Sequence, residues 1–113
     1  MPHGMAVILN APSVFRHTAA TDPQRHVEAA RHLGADVGDV GPEDAGTALA
    51  EDRVRLMRAV GMPNGLSAVG YGEADCTILA DGAWPQQRLL MNAPIDSDKP
   101  LLANLFEGVI SYW

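Results

Sequence analysis

Only one cysteine, Cys76, occurs in the 113 residues, so no disulfide can close within the chain. That usage points to a reducing, cytoplasmic setting. Basic side chains are also few: eight Lys and Arg stand against fourteen Asp and Glu, a formal charge of −6. A nucleic-acid binder supplies cations to neutralise phosphates, so this balance argues against nucleic acid as a partner. No run of ~18 apolar residues is present, which leaves no helical membrane span and no membrane partner to expect. Nor does a charged-then-apolar start suggest a secretory signal. The glycines are scattered rather than gathered into a phosphate-cradling loop. Period-two alternation of useful length is missing, which removes the usual signature of strands.

What is present is globular: 47% of residues are apolar and 19% charged. Pro and Gly divide the chain into about five segments of helical periodicity, so the fold class is all-α in a single unit, residues 1–113. The first segment runs from Gly4 to about Ala20, with Pro12 predicting a kink or break. The second opens on Asp22 as N-cap and Pro23 in the first turn, and Gly34 closes it. The third begins near Pro42 and ends at Val60, before Gly61 and Pro63; Leu49, Leu56 and Val60 mark its buried side, interrupted by Arg53. The fourth covers Glu73 to Ala83, with Cys76, Leu79, Ala80 and Ala83 turned inward. Pro85 and Pro94 frame a connector, and the last helix starts with Ser97 as N-cap and carries apolar residues from Leu101 to Ile110. The first and last helices are apolar round most of their circumference, more than a surface helix needs.

Chemistry-bearing residues are sparse. His26 and His32 are six apart and face different sides of one helix, so a shared metal is disfavoured. His17 reads as a partly buried amphipathic side chain. Glu43 with Asp44, and Glu51 with Asp52, are adjacent pairs that point apart and read as solvated surface. Cys76 lies on an inward face with no basic neighbour in sequence, which suits packing better than nucleophilic attack. His3 differs in its setting, between Pro2 and the permissive Gly4 at a helix start. Taken alone, Pro-His-Gly is a weak motif, and a surface histidine is the plainer reading of it.

Longer stretches carry a resemblance. Pro2-His3-Gly4-Met5, followed by Val7 to Phe15, resembles the segment of iron-containing alcohol dehydrogenases that bears their final metal-binding histidine. Asp22 to His26, Leu33 to Asp36, Gly61 to Leu66, Ala68 to Tyr71 and Pro85 to Arg88 resemble the branch that includes hydroxyacid–oxoacid transhydrogenase. The resemblance covers essentially all 113 residues in order. It implies the later part of a carboxy-terminal all-α domain, with the α/β cofactor domain lying outside these residues. It also implies that His3 is the last of four ligands to Fe2+, the other three being upstream in relatives, and that NAD(P) is bound by the domain not included here. In such an enzyme the ferrous ion polarises the substrate oxygen while hydride moves to or from the nicotinamide. The resulting expectation is a portion of an NAD(P)-linked oxidoreductase that is inactive alone and that partners either itself, as a homo-oligomer, or a chain bringing the cofactor domain. The alternative is a small non-catalytic helical module for self-association, motivated by apolar surface left without neighbours.

Overall fold

The computed structural model describes residues 1–113. It contains six α-helices and no strand: α1 (His3–Thr18), α2 (Pro23–His32), α3 (Ala45–Ala59), α4 (Cys76–Ala83), α5 (Gln87–Leu90) and α6 (Lys99–Glu107). Short 3₁₀ turns precede α3 and α4, follow α1, and span Ser67–Val69. The all-α expectation holds. The count rises from five to six because Gln87–Leu90, read as connector, closes one turn of helix.

Local signals explain α2. The Asp22 carboxylate accepts the Arg25 backbone N–H at 3.1 Å, Pro23 occupies the first turn, and Gly34 takes a φ of 97° after the helix ends. At α6 the cap is Asp98 rather than Ser97: its carboxylate accepts from the Leu101 N–H at 2.8 Å. With Pro100 inside the first turn, a start one residue later still leaves Pro where no intrahelical bond is lost. The helix also stops at Glu107, short of Ile110.

Two corrections come from packing. Helix α1 runs unbroken through Pro12, whose ring is fully buried beside buried Leu9 and Ser13. The Ser13 hydroxyl donates to the Leu105 carbonyl of α6 at 2.7 Å, so contacts on both sides hold the turn that proline weakens. On α3, Leu49 is buried as expected, but Leu56 and Val60 are 44% and 65% exposed, and Met57 is buried instead. Helix α3 lies against both α1 and α2. Helix α2 ends level with Arg53, whose guanidinium donates to the Leu33 carbonyl at 3.3 Å. Beyond that point Leu56 and Val60 have no helix above them, whereas Met57 turns toward α1. Gly46 permits the α1 contact: a Cβ there would sit 2.7 Å from the Ala19 Cβ and 3.0 Å from the Phe15 carbonyl oxygen.

The core is divided. A small cluster of Ala30, Val37 and Leu49 joins α2 to α3. The other, Leu9, Met57, Leu66 and Val109, ties α1 and α3 to the segment after α6. That segment is held by long-range polar bonds. Leu66 and Ser67 donate their N–H groups to Val109 and Ile110 at 2.9 and 3.0 Å. Gly65, at φ 69°, lies so close that a Cβ would fall 2.2 Å from the Val109 carbonyl oxygen. The Asn64 side chain accepts from the Tyr112 and Trp113 N–H groups at 2.7 and 3.1 Å and donates to the Trp113 carbonyl. The Tyr112 hydroxyl donates to the Leu9 carbonyl at 2.6 Å. No helix is long and apolar enough to cross a membrane.

Candidate functional site

Pro2 caps the start of α1 in an extended conformation, and His3 is the helix's first residue, exposed to solvent. The fold does not bring the other histidines to it. His26 is structural: its Nδ1 lies 2.8 Å from the Asp22 carbonyl oxygen, which can only accept, so Nδ1 carries the proton. In the neutral ring Nε2 then accepts from the Thr18 hydroxyl at 2.9 Å. The ring also meets Phe15 edge-on at 6.5 Å between centroids. His32 is exposed at the last turn of α2. His17 is half-buried, and its Nε2 is enclosed without a hydrogen-bond partner. Nowhere do three or more His, Cys, Asp or Glu side chains come together as a metal ion requires.

Cys76 is buried, as its spacing implied. Burial pushes its thiol above the ordinary value, and the carboxylates of Glu107, Asp75 and Glu73 push the same way. The sulfur is therefore a protonated packing group and not a nucleophile. Glu43, Asp44 and Glu51 are exposed, as read from the sequence. Asp52 is not: it is 6% exposed, and its carboxylate accepts from Arg53 and, at 2.6 Å, from Arg55. Burial alone would raise the Asp52 pKa, but the two guanidiniums outweigh it and hold the carboxyl below its usual range. The neighbours at one and three residues further on were the available signal. A solvated reading missed it because Asp52 lies on the α2-facing row of α3.

The arrangement thus defines an all-helical domain that offers a single candidate ligand at one helix start. Superposition on the crystal structure of a 1,3-propanediol oxidoreductase gives a TM-score of 0.84 over 96% of this chain and 28% of that one, at 24% identity, so the fold is shared. Residues 1–109 match the model of the Fe-containing alcohol dehydrogenase family, C-terminal. The chain belongs to that family. It is 41% identical over 113 residues to the probable mitochondrial hydroxyacid-oxoacid transhydrogenase of Dictyostelium discoideum, covering 21% of that protein. It is 41% identical over 108 residues to the mitochondrial hydroxyacid-oxoacid transhydrogenase of Homo sapiens, covering 96% of this chain and 23% of that protein. The chain therefore spans under a quarter of the length of these curated relatives. The family name implies iron, and the residues here do not by themselves fit an ion, since no group of three or more His, Cys, Asp or Glu side chains includes His3.

Proposed function

We propose that this chain is the later part of the helical domain of an iron-dependent, NAD(P)-linked oxidoreductase of the alcohol dehydrogenase or hydroxyacid–oxoacid transhydrogenase type. Its contribution is one metal ligand, His3, and on its own it is inactive. The observation that carries this reading is the pairing of a family match across residues 1–109 with a lone, exposed histidine at the first residue of α1. An imidazole placed there is free to reach an ion whose remaining ligands come from elsewhere. One imidazole must compete with water for iron, whereas four ligands gathered around the ion hold it firmly. NAD(P) has no glycine-rich loop to bind in these residues and belongs to the cofactor domain.

The partner we assign is a chain or segment that brings the cofactor domain. Val7, Ile78, Leu89 and Met91 are between 55% and 79% exposed, so apolar surface remains for an association. A second copy is the other candidate for that surface, and sedimentation at several concentrations separates the two. The unpaired, buried thiol of Cys76 supports a reducing compartment, and we propose the cytoplasm; fractionation tests this against the mitochondrial location in the relatives' names. The decisive test of function is complementation. The cofactor-domain part of a relative, supplied as a separate chain, should restore nicotinamide-dependent oxidation of an alcohol or hydroxyacid. His3→Ala should abolish it. Restored activity that survives His3→Ala would overturn the ligand role.

A further inference from the structure

The carboxy-terminal end of α1 borders a cleft. Arg16, near its last turn, lies ~20 Å from His3 at about 1.5 Å of rise per residue. There α1, α3 and the segment after α6 border an open cleft of about 440 Å³ lined by exposed Arg16, Arg55, Arg58, Glu51, Ser111 and Trp113, among others. That volume is in the range of small-molecule sites. Three of the eight basic residues of an acidic chain meet in it. Arg55 is committed to Asp52 at 2.6 Å, but Arg16 and Arg58 form no ion pair. Arg58 is instead placed over the Trp113 ring, 5.9 Å from its centroid, and Asn64 holds the Trp113 backbone. Glu51 and, in the 113-residue chain, the α-carboxylate of Trp113 supply opposing charge at the rim, while Arg16 and Arg58 remain the two guanidiniums of the lining without an ion pair.

We infer that this cleft binds a small oxyanion of two negative charges, a dicarboxylate or a phosphate, between the Arg16 and Arg58 guanidiniums. Guanidinium is the side-chain group best matched to carboxylate and phosphate oxygens, since its planar N–H fork donates two parallel bonds. The Ser111 hydroxyl at the rim already donates to the Trp113 carbonyl at 3.1 Å, so the two guanidiniums are the donors for the anion. Distance from His3 makes this a site separate from the proposed metal position, and it stands or falls independently of the proposed function.

The test is two-dimensional NMR of the ¹⁵N-labelled 113-residue chain at constant ionic strength, titrated with inorganic phosphate and, separately, succinate. Saturable shifts of the Ser111 amide and the Trp113 indole are expected with either anion or both. Succinate alone assigns a carboxylate ligand, and phosphate alone a tetrahedral oxyanion. Arg16→Gln and Arg58→Gln should each weaken binding by about tenfold or more. Glu51→Gln should tighten it by roughly threefold, because a like-sign neighbour is removed. Arg25→Gln, at an exposed arginine paired with Asp22 on α2, should change nothing. The inference is overturned by shifts that chloride reproduces, by absence of saturation with both anions, or by equal weakening in Arg25→Gln. Unchanged helical circular dichroism in each variant ties a loss to the missing guanidinium.

Discussion

At its first residue α1 carries an exposed histidine that belongs to no cluster of three or more His, Cys, Asp or Glu side chains. Near its last turn it carries Arg16, which belongs to no motif, yet α3 and the carboxy-terminal segment build a lined cleft around it. The first end has a family identity and little local structure. The second has local structure and no sequence signature. A family motif points beyond these residues to the whole protein, whereas the residues packed around Arg16 all lie within them. On the proposed reading His3 needs groups from outside these residues, whereas Arg16 and Arg58 line one cleft within them.

The comparison can be broken most severely at Gly65. Gly65→Ala forces a Cβ to within 2.2 Å of the Val109 carbonyl oxygen at a φ of 69°. Strain and overpacking together should cost about 3 kcal/mol or more, read by urea denaturation. The Arg16 end should lose its cleft with the displaced carboxy-terminal segment. A variant as stable as the parent would show that this segment is not what holds that end together.

Asp52→Ala comes next, at about 3 kcal/mol, because Arg53 is left largely buried without its carboxylate. The pH dependence has a definite sign. The folded Asp52 carboxyl lies below its unfolded value, so its contribution is present above the ordinary carboxylate range and is lost as pH falls through the folded pKa. Replacement by Asn should flatten the acid limb of the stability curve.

Tyr112→Phe removes the 2.6 Å bond to the Leu9 carbonyl and should cost about 1 kcal/mol. Burial pushes this phenol up to about 12 from an ordinary value of 10.0. Since the folded pKa is the higher one, its contribution is full below pH 10 and declines as pH rises toward 12. Ionisation of Tyr112 near pH 10 in an alkaline absorbance titration would remove this argument. The smallest effect belongs to His3→Ala: within about 0.5 kcal/mol in the isolated chain, since an exposed first-turn residue contributes little. A large loss there would mean that His3 serves the fold.

How legible each part was depended on the sequence distance of its cause. The caps of α2 could be read because Asp22, Pro23 and Gly34 act within a turn of their own position. Asp98 and Ser97 are both competent N-caps, and only where the helix begins decides between them. Asn64-Gly65 read as a turn dipeptide; its role in clasping Tyr112 and Trp113 depends on residues nearly fifty positions away. The exposure of Leu56 and Val60 required knowing where α2 ends. His3 was legible through resemblance alone, and the arginine cleft was not legible, because Arg16 joins Arg55 and Arg58 only after α1 meets α3.

On the proposed reading, this chain carries one ligand of a metal site and not a whole site. Titration of the isolated, metal-free chain with ferrous iron under anaerobic conditions, followed by metal analysis after gel filtration, tests it most directly. No stoichiometric iron should stay with the chain. One tightly held iron per chain, retained in His3→Ala, would contradict it.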